Sequence, residues 1–339
     1  MKKFFATIAT IALSASLSVI ASGIEVQPTF QSRSNEQDRV WTGSFQLVWN
    51  DFMDKIVHNP IRFRESTPTM VYELNKQGFT ANDISEKSYY KFAGKVKKNT
   101  KKQINKALKK KFKETSDLLD KMDLQPRNDK YIIYAMLKKD FEFINAFDKL
   151  EKSLFGYDQV TEYYGIAKHS SDKLGKGIDV LFYNSPDDFA IILKTKTNDE
   201  VYLYKNSANK AFNYLWDDMF KKELTFKGER EFRSADEFKI PSIKFNIDKI
   251  YEELAKNRVM GTNLVIEQAM QTIKFEMNNK GVELKSEGGL SFVTCSLPHP
   301  EELVPRLFYL DNTFVIFLKE KDKTMPYFAL RVHDITNYK

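Results

Sequence analysis

The sequence predicts an α+β fold, with helices in its first part and sheet in the rest, and three observations carry the prediction. Before residue 123 the apolar residues recur at helical spacing. After Pro126 they gather in short runs bounded by charges and turn residues, the signature of strands. Runs of one kind followed by runs of the other favour segregated layers over a wound parallel sheet. With 339 residues, 42% hydrophobic content and 27 Phe, the chain has the apolar mass for a large core, and its composition excludes disorder.

The first residues read as a leader. Lys2 and Lys3 precede an uncharged apolar run from Phe4 to Ile20, and Ala21-Ser22-Gly23 supplies small residues for cleavage. The other reading is a membrane anchor. That run is slightly shorter than the roughly 20 residues a span needs, rich in Ser, Thr and Ala, and followed by polar sequence. We expect a signal peptide over residues 1–23 cut near Gly23, a secreted protein (extracellular or periplasmic), and no membrane span afterwards. Loss of Lys2 and Lys3 lowers the formal net charge from +7 by two, to +5. Cys295 is the only cysteine, so no intrachain disulfide forms and stability comes from packing. A monomer is expected.

Residues 24–40 are polar and read as a flexible lead-in to a single domain over 41–339, mainly helical at 41–123 and mainly sheet at 131–339. Phe45, Val48, Trp49, Phe52, Met53 and Ile56 predict an amphipathic helix over 43–56, ended by Asn59-Pro60. Residues 66–123 read as further helices, with Ser85 as a cap, the longest running from Asn99 to Asp120. Across that region Lys91, Lys95, Lys97, Lys98, Lys101, Lys102, Lys106, Lys109, Lys110, Lys111 and Lys113 meet no acid until Glu114. Val96, Ile104, Leu108 and Phe112 lie among them. Two readings stand: a helix seated on a core with a solvated basic side, or a polyanion-binding face centred on Lys106, Lys109, Lys110, Lys111 and Lys113. No arginines or aromatics interleave, so no specific nucleic-acid recognition is expected.

Tyr131–Leu137 reads as a strand buried on both faces. Asp179–Tyr183 and Phe189–Leu193 flank Asn184-Ser185-Pro186-Asp187-Asp188 as a hairpin. Phe238–Asn246 reads as one strand interrupted by Pro241, and Thr313–Leu318 and Tyr327–Val332 close the chain. His58, His169, His299 and His333 have no metal-ligand spacing, Cys295 lacks the context of a nucleophile, and Gly175-Lys176-Gly177 is not a phosphate loop. No enzyme, catalytic residue, metal or cofactor is expected.

Five segments in order resemble the serpin family. They are LDKMDLQPRNDKYIIYAMLKKDFEFINAF (Leu119–Phe147), IDVLFYNSPDDFAIIL, FKIPSIKFNI, AMQTIKFEMNNKGVELKSE (Ala269–Glu287) and LFYLDNTFVIFLKEKDKTMPYFALRV. The likeness covers about three quarters of the chain after the leader. It implies helices packed on large mixed and antiparallel sheets with an exposed reactive loop at about 281–305. Its hinge would be Gly281, Val282, Glu283 and Leu284, and its scissile bond Cys295–Ser296. The implied partner is an extracellular serine or cysteine protease, trapped when the cut loop inserts into the large sheet; the alternative is a non-inhibitory binding protein with a basic helix. The chain departs from the family in its N-terminal part, where a buried helix should lie beneath the opening of the large sheet and only Asn59–Phe63 echoes its motif. Tyr134 and Lys139 also stand where the family favours asparagine and glycine. From Gly281, Val282, Leu284, Ser286, Gly288, Leu290 and Phe292 fall on one face and the charges on the other. That alternation suits insertion; a rigid strand would show it too. Cys295 at a loop tip is reactive only if its thiolate is favoured; otherwise it is an ordinary buried thiol.

Overall fold

The computed structural model describes residues 23–127, 130–283 and 304–338. The leader therefore lies outside the described residues, and among these no helix is long and apolar enough to cross a membrane. The architecture is α+β, as the sequence predicts.

Its rigid layer is a seven-stranded sheet. In spatial order it runs Glu25–Val26, Arg39–Thr42, Phe328–Val332, Phe314–Glu320, Asp199–Lys205, Asp188–Lys194 and Ile178–Ser185. All pairs are antiparallel except the first. Every residue of the Phe314–Glu320 strand is buried, because both faces of the sheet are covered. On one face lies the Phe212–Thr225 helix, which presents Phe212, Leu215, Trp216 and Met219 at spacings of three and four. Trp216 meets Tyr202 and Phe317 edge-on at 5.1 and 5.0 Å. The other face receives Phe275, stacked on Phe328 at 4.6 Å.

Phe275 belongs to a second sheet, ordered Ile243–Ile250, Met270–Asn278, Gly281–Glu283 and Asp140–Glu142. Beside it, Tyr89–Lys95 and Tyr131–Leu137 form a separate two-stranded ladder. A third sheet joins Leu307–Tyr309, Glu237–Pro241, Tyr163–Ile166 and Asp148–Lys149.

Several expectations are corrected by packing. The stretch 24–40 is no loose lead-in: Ile24, Val26, Phe30 and Val40 are buried, and Glu25–Val26 extends the large sheet. Its few apolar residues suffice because each meets the aromatic core. Residues 66–123 are not all helical, since Tyr89–Lys95 is a strand. The long helix divides: Thr100–Phe112 stops where Lys113 turns left-handed at φ 64°, and a short turn, Leu118–Lys121, follows. Tyr131–Leu137 is paired along one edge only, with Tyr131 exposed, so it is not buried on both faces. Phe238–Asn246 is two strands in two sheets, with Ser242 at the corner between Pro241 and Ile243.

The buried helix is present, but not at 59–63. Ser44–Asp51, continued by a wider turn over Phe52–Val57, follows the Arg39–Thr42 strand and lies against Tyr131–Leu137. His58, left-handed at φ 59°, ends it beside Asn59-Pro60. Phe45 stacks on Tyr251 at 4.2 Å, and Trp49 donates to Asn75 at 3.0 Å.

One buried polar cluster ties the layers together. Between Leu137 and Asp140 the chain leaves one ladder and enters another, and there Lys139 donates to Asp199 at 2.7 Å and to Glu320. Tyr327 donates to Asp199 at 3.0 Å, and Glu320 also accepts from the Ser85 amide and the Ser88 hydroxyl. All three charged groups are less than a tenth exposed. Removing one partner of such a cluster leaves uncompensated charge in the interior. Glu320→Ala should therefore cost about 3–5 kcal/mol, read from urea denaturation; an unchanged midpoint and slope would contradict this account.

Candidate functional site

The site is an opening in the second sheet. Gly281–Glu283 is held between two strands, pairing Glu276–Asn278 on one side and Asp140–Glu142 on the other. Val282 sits between Met277 and Phe141 and is 1% exposed, so the alternation expected from Gly281 begins with Val282 facing inward. The turn before it is pinned: Phe147 donates its amide to Asn279 O at 2.8 Å, and Phe143 donates to Lys280 O at 2.9 Å. Gly281 is required by close approach, since a Cβ there would lie 2.2 Å from Phe141 O.

Tyr131–Leu137, which precedes Asp140–Glu142, is not paired with Met270–Asn278. Between Tyr131–Leu137 and Met270–Asn278 lies a cavity of about 880 Å³. Ile133 and Ala135 line one wall and Thr272 and Lys274 the other, while Phe45 and Trp49 of the buried helix form its floor.

Residues 114–127 cross above it and are fastened to both walls. Glu114 accepts from Lys138 at 2.6 Å on one side, and Asp117 pairs with Lys274 on the other. Farther along, Lys121 meets Asp248 at 2.5 Å, and Arg127 meets Glu267 at 2.6 Å. Lys130 bridges Asp123 at 2.7 Å and Glu267 at 3.0 Å. Tyr134 is buried beneath this cover, and burial pushes its hydroxyl up to about 12 against a partial offset from Ser116.

The chain returns at a second fixed point. The Arg306 guanidinium and amide bond Asp236, which also accepts from Arg233 at 2.8 Å. Burial raises the Asp236 carboxyl, but the two guanidiniums outweigh it and hold the group below its ordinary value. Leu307–Tyr309 then runs parallel to Glu237–Pro241.

Of the residues singled out from sequence, Gly281, Val282 and Glu283 are placed in the opening. Leu284, Cys295 and Ser296 lie outside the described residues. Lys106, Lys109, Lys110 and Lys113 are exposed on or just after the Thr100–Phe112 helix, which seats Ile104 and Leu108 on the Tyr89–Lys95 ladder. Lys111 reaches over the Tyr89 ring at 5.6 Å. Sequence reasoning missed the fastening residues Glu114, Asp117, Lys138 and Lys274. The signal was faint: the first acids after a lysine run, and the Lys138-Lys139 pair that stops an apolar strand.

No protein-family model matches the chain, and no curated protein matches it. Among solved structures it is similar to Serpin48, described as a highly specific serpin of the insect Tenebrio molitor. Identity is 14% over 80% of this chain and 72% of that one, with a TM-score of 0.41. It is also similar to human thyroxine-binding globulin in complex with its hormone, at 10% identity over 88% of this chain and 92% of that one, with a TM-score of 0.46. These likenesses concern the fold alone.

The contact at Gly281 yields a prediction. Gly281→Ala should push Gly281–Glu283 out of the opening, so the Val282 and Glu283 amides should exchange hydrogen at least about tenfold faster, a loss of about 1.4 kcal/mol of local protection. Unchanged exchange would show that the pairing tolerates a side chain there.

Proposed function

We propose that the chain is an exported, suicide-type inhibitor of an extracellular serine or cysteine protease, acting through residues 281–305. The protease cuts near Cys295–Ser296, and the segment after Glu283 then enters the opening as a new strand between Tyr131–Leu137 and Met270–Asn278. The observation that carries this reading is the start of such a strand: Gly281–Glu283 pairs on both sides directly above the cavity.

Extending that register puts Leu284 between Phe275 and Lys139, and Lys285 between Lys274 and Lys138. Val282 faces inward, so Leu284, Ser286, Gly288, Leu290 and Phe292 follow on the inner face. Lys285 joins two lysines there, a like-charge row that disfavours pairing; Glu114 and Asp117 of the cover supply the opposing charge. Each new sheet hydrogen bond contributes about 0.5–1.5 kcal/mol net, and each enclosed leucine about 1.5–3 kcal/mol.

Two measurements test this. Incubation with a panel of serine and cysteine proteases should give a complex that survives denaturation. Chain cut within 284–303 should also melt several degrees above intact chain, because about 1 kcal/mol shifts a large domain by roughly 2–4 °C. Leu284→Arg should abolish that rise by burying a charge, while Leu284→Ala should keep it. Equal melting temperatures of intact and cut wild-type protein would reject insertion.

A second reading, a non-inhibitory binding protein whose basic helix takes a polyanion, is favoured by one observation. Lys106, Lys109, Lys110 and Lys113 are exposed together on one element and form no ion pair among the described residues. Charge-dominated binding weakens as salt rises. Heparin retention should therefore fall to lower elution salt when Lys109, Lys110 and Lys111 are changed to Gln. Unchanged elution leaves the helix an ordinary solvated face.

A further inference from the structure

Two arginines are buried opposite each other in the seven-stranded sheet. Arg39 and Arg331 are direct partners across neighbouring strands, and each is 1% exposed. Buried charge is normally paired with opposite charge. Here neither guanidinium forms an ion pair among the described residues; both bond neutral oxygens. Arg39 Nη2 donates to Lys210 O at 2.8 Å. Arg331 donates to Gln37 O at 2.7 Å, Gln37 Oε1 at 2.9 Å and Ser207 O at 2.9 Å.

Three donors on this face remain unsatisfied. The Nε–H of Arg39, the Nε–H of Arg331 and the indole N–H of Trp41, two residues along the strand from Arg39, are all buried without a partner among the described residues. Unpaired buried donors are rare, and each calls for an explanation. Glu25 acts electrostatically on Arg39 and Asp38 on Arg331, but neither forms an ion pair with them among the described residues, and both are engaged elsewhere. Glu25 accepts from Gln27 and Ser34, and Asp38 accepts from the amides of His333 and Asp334 and from the Tyr338 hydroxyl. Burial and the proximity of Arg39 lower Arg331 to about 10, and burial also lowers Arg39.

The same place receives a helix start. Residues 206–211, of which the Ser207 and Lys210 carbonyls accept from the arginines, lead into the Phe212–Thr225 helix. Its first turn has neither a side-chain cap nor an acid. The Asn213 amide donates to Phe30 O at 3.1 Å; the helix start still carries partial positive charge, and the Arg39 guanidinium lies 5.4 Å from the Phe212 ring centre. Positive groups thus converge from strand and helix.

We propose that Arg39 and Arg331 form an oxyanion-binding site at the start of the Phe212–Thr225 helix, where an inorganic tetraoxyanion, phosphate or sulfate, accepts hydrogen bonds from both Nε–H groups and from Trp41. The anion enters beneath residues 206–210, which are joined to the arginines only through the carbonyls of Ser207 and Lys210. The site lies on the rigid sheet, away from the opening, so it stands or falls independently of protease inhibition.

Calorimetric titration of the full chain with sodium phosphate and sodium sulfate tests the site, with sodium chloride at matched ionic strength as control. Saturable binding of either oxyanion is expected. At about a hundredfold excess over the dissociation constant it should raise the melting temperature by about 5 °C, with no such rise in chloride. Arg39→Gln and Arg331→Gln should each weaken binding by at least about tenfold, whereas a purely structural role lowers the melting temperature and leaves the oxyanion increment intact. Absence of saturable binding to wild type, or equal binding by the variants, overturns the proposal. Should the variants not fold, crystals of the unaltered chain soaked in selenate decide it: anomalous density between the two guanidiniums supports the site, and its absence there rejects it.

Discussion

A strand edge inside a protein must find hydrogen-bond partners, and the opening in the second sheet violates that demand along two strands at once. Among the described residues, Tyr131–Leu137 pairs only with Tyr89–Lys95, and Met270–Asn278 pairs on its inner side only over its last three residues. The remaining backbone groups face the cavity. Each bond left unmade forgoes stabilisation of about 0.5–1.5 kcal/mol, and an unpaired edge is a template for a further strand. The described parts around it are a helix as floor, a cover held by charge to each wall, and the Gly281–Glu283 strand paired at the upper end.

Glu114 and Asp117 hold the cover to opposite walls. These pairs are partly exposed, and such pairs contribute little individually, about 0–1 kcal/mol. They are releasable. The Lys139 cluster is different in kind, because burial makes it costly to break. It fixes where Asp140–Glu142 departs from Tyr131–Leu137, and thereby the upper limit of the opening.

Strands in the rigid layer were legible because burial on both faces leaves little room for polar residues: Phe314–Leu318 and Phe189–Leu193 are nearly continuous apolar runs. The helix over 43–56 was legible from spacing alone. Tyr89–Lys95 was not, since its YYKFAGK pattern has no clean alternation, and a ladder partner forty residues on decides its conformation. The polar stretch 24–40 misled because composition averages over residues, whereas packing uses Ile24, Val26 and Phe30 individually. At the site, the inward-facing Val282 was legible through alternation. The cover's ion pairs were hidden, because each joins residues far apart in sequence, such as Asp117 and Lys274. The facing arginines were hidden for the same reason.

The anchor at Arg306 and Asp236 has a consequence for kinetics. With Gly281–Glu283 fixed at one end and Arg306 at the other, the intervening residues are tethered twice, and loop-closure entropy grows only slowly with length. Any pairing they make with the opening is intramolecular, at an effective concentration on the order of millimolar. A second copy in dilute solution competes poorly against that. Under the proposed mechanism a cut would free one end and lengthen the segment's reach, up to about 3.3–3.6 Å per residue from Glu283, so the event that removed the constraint would also let a strand extend along the cavity.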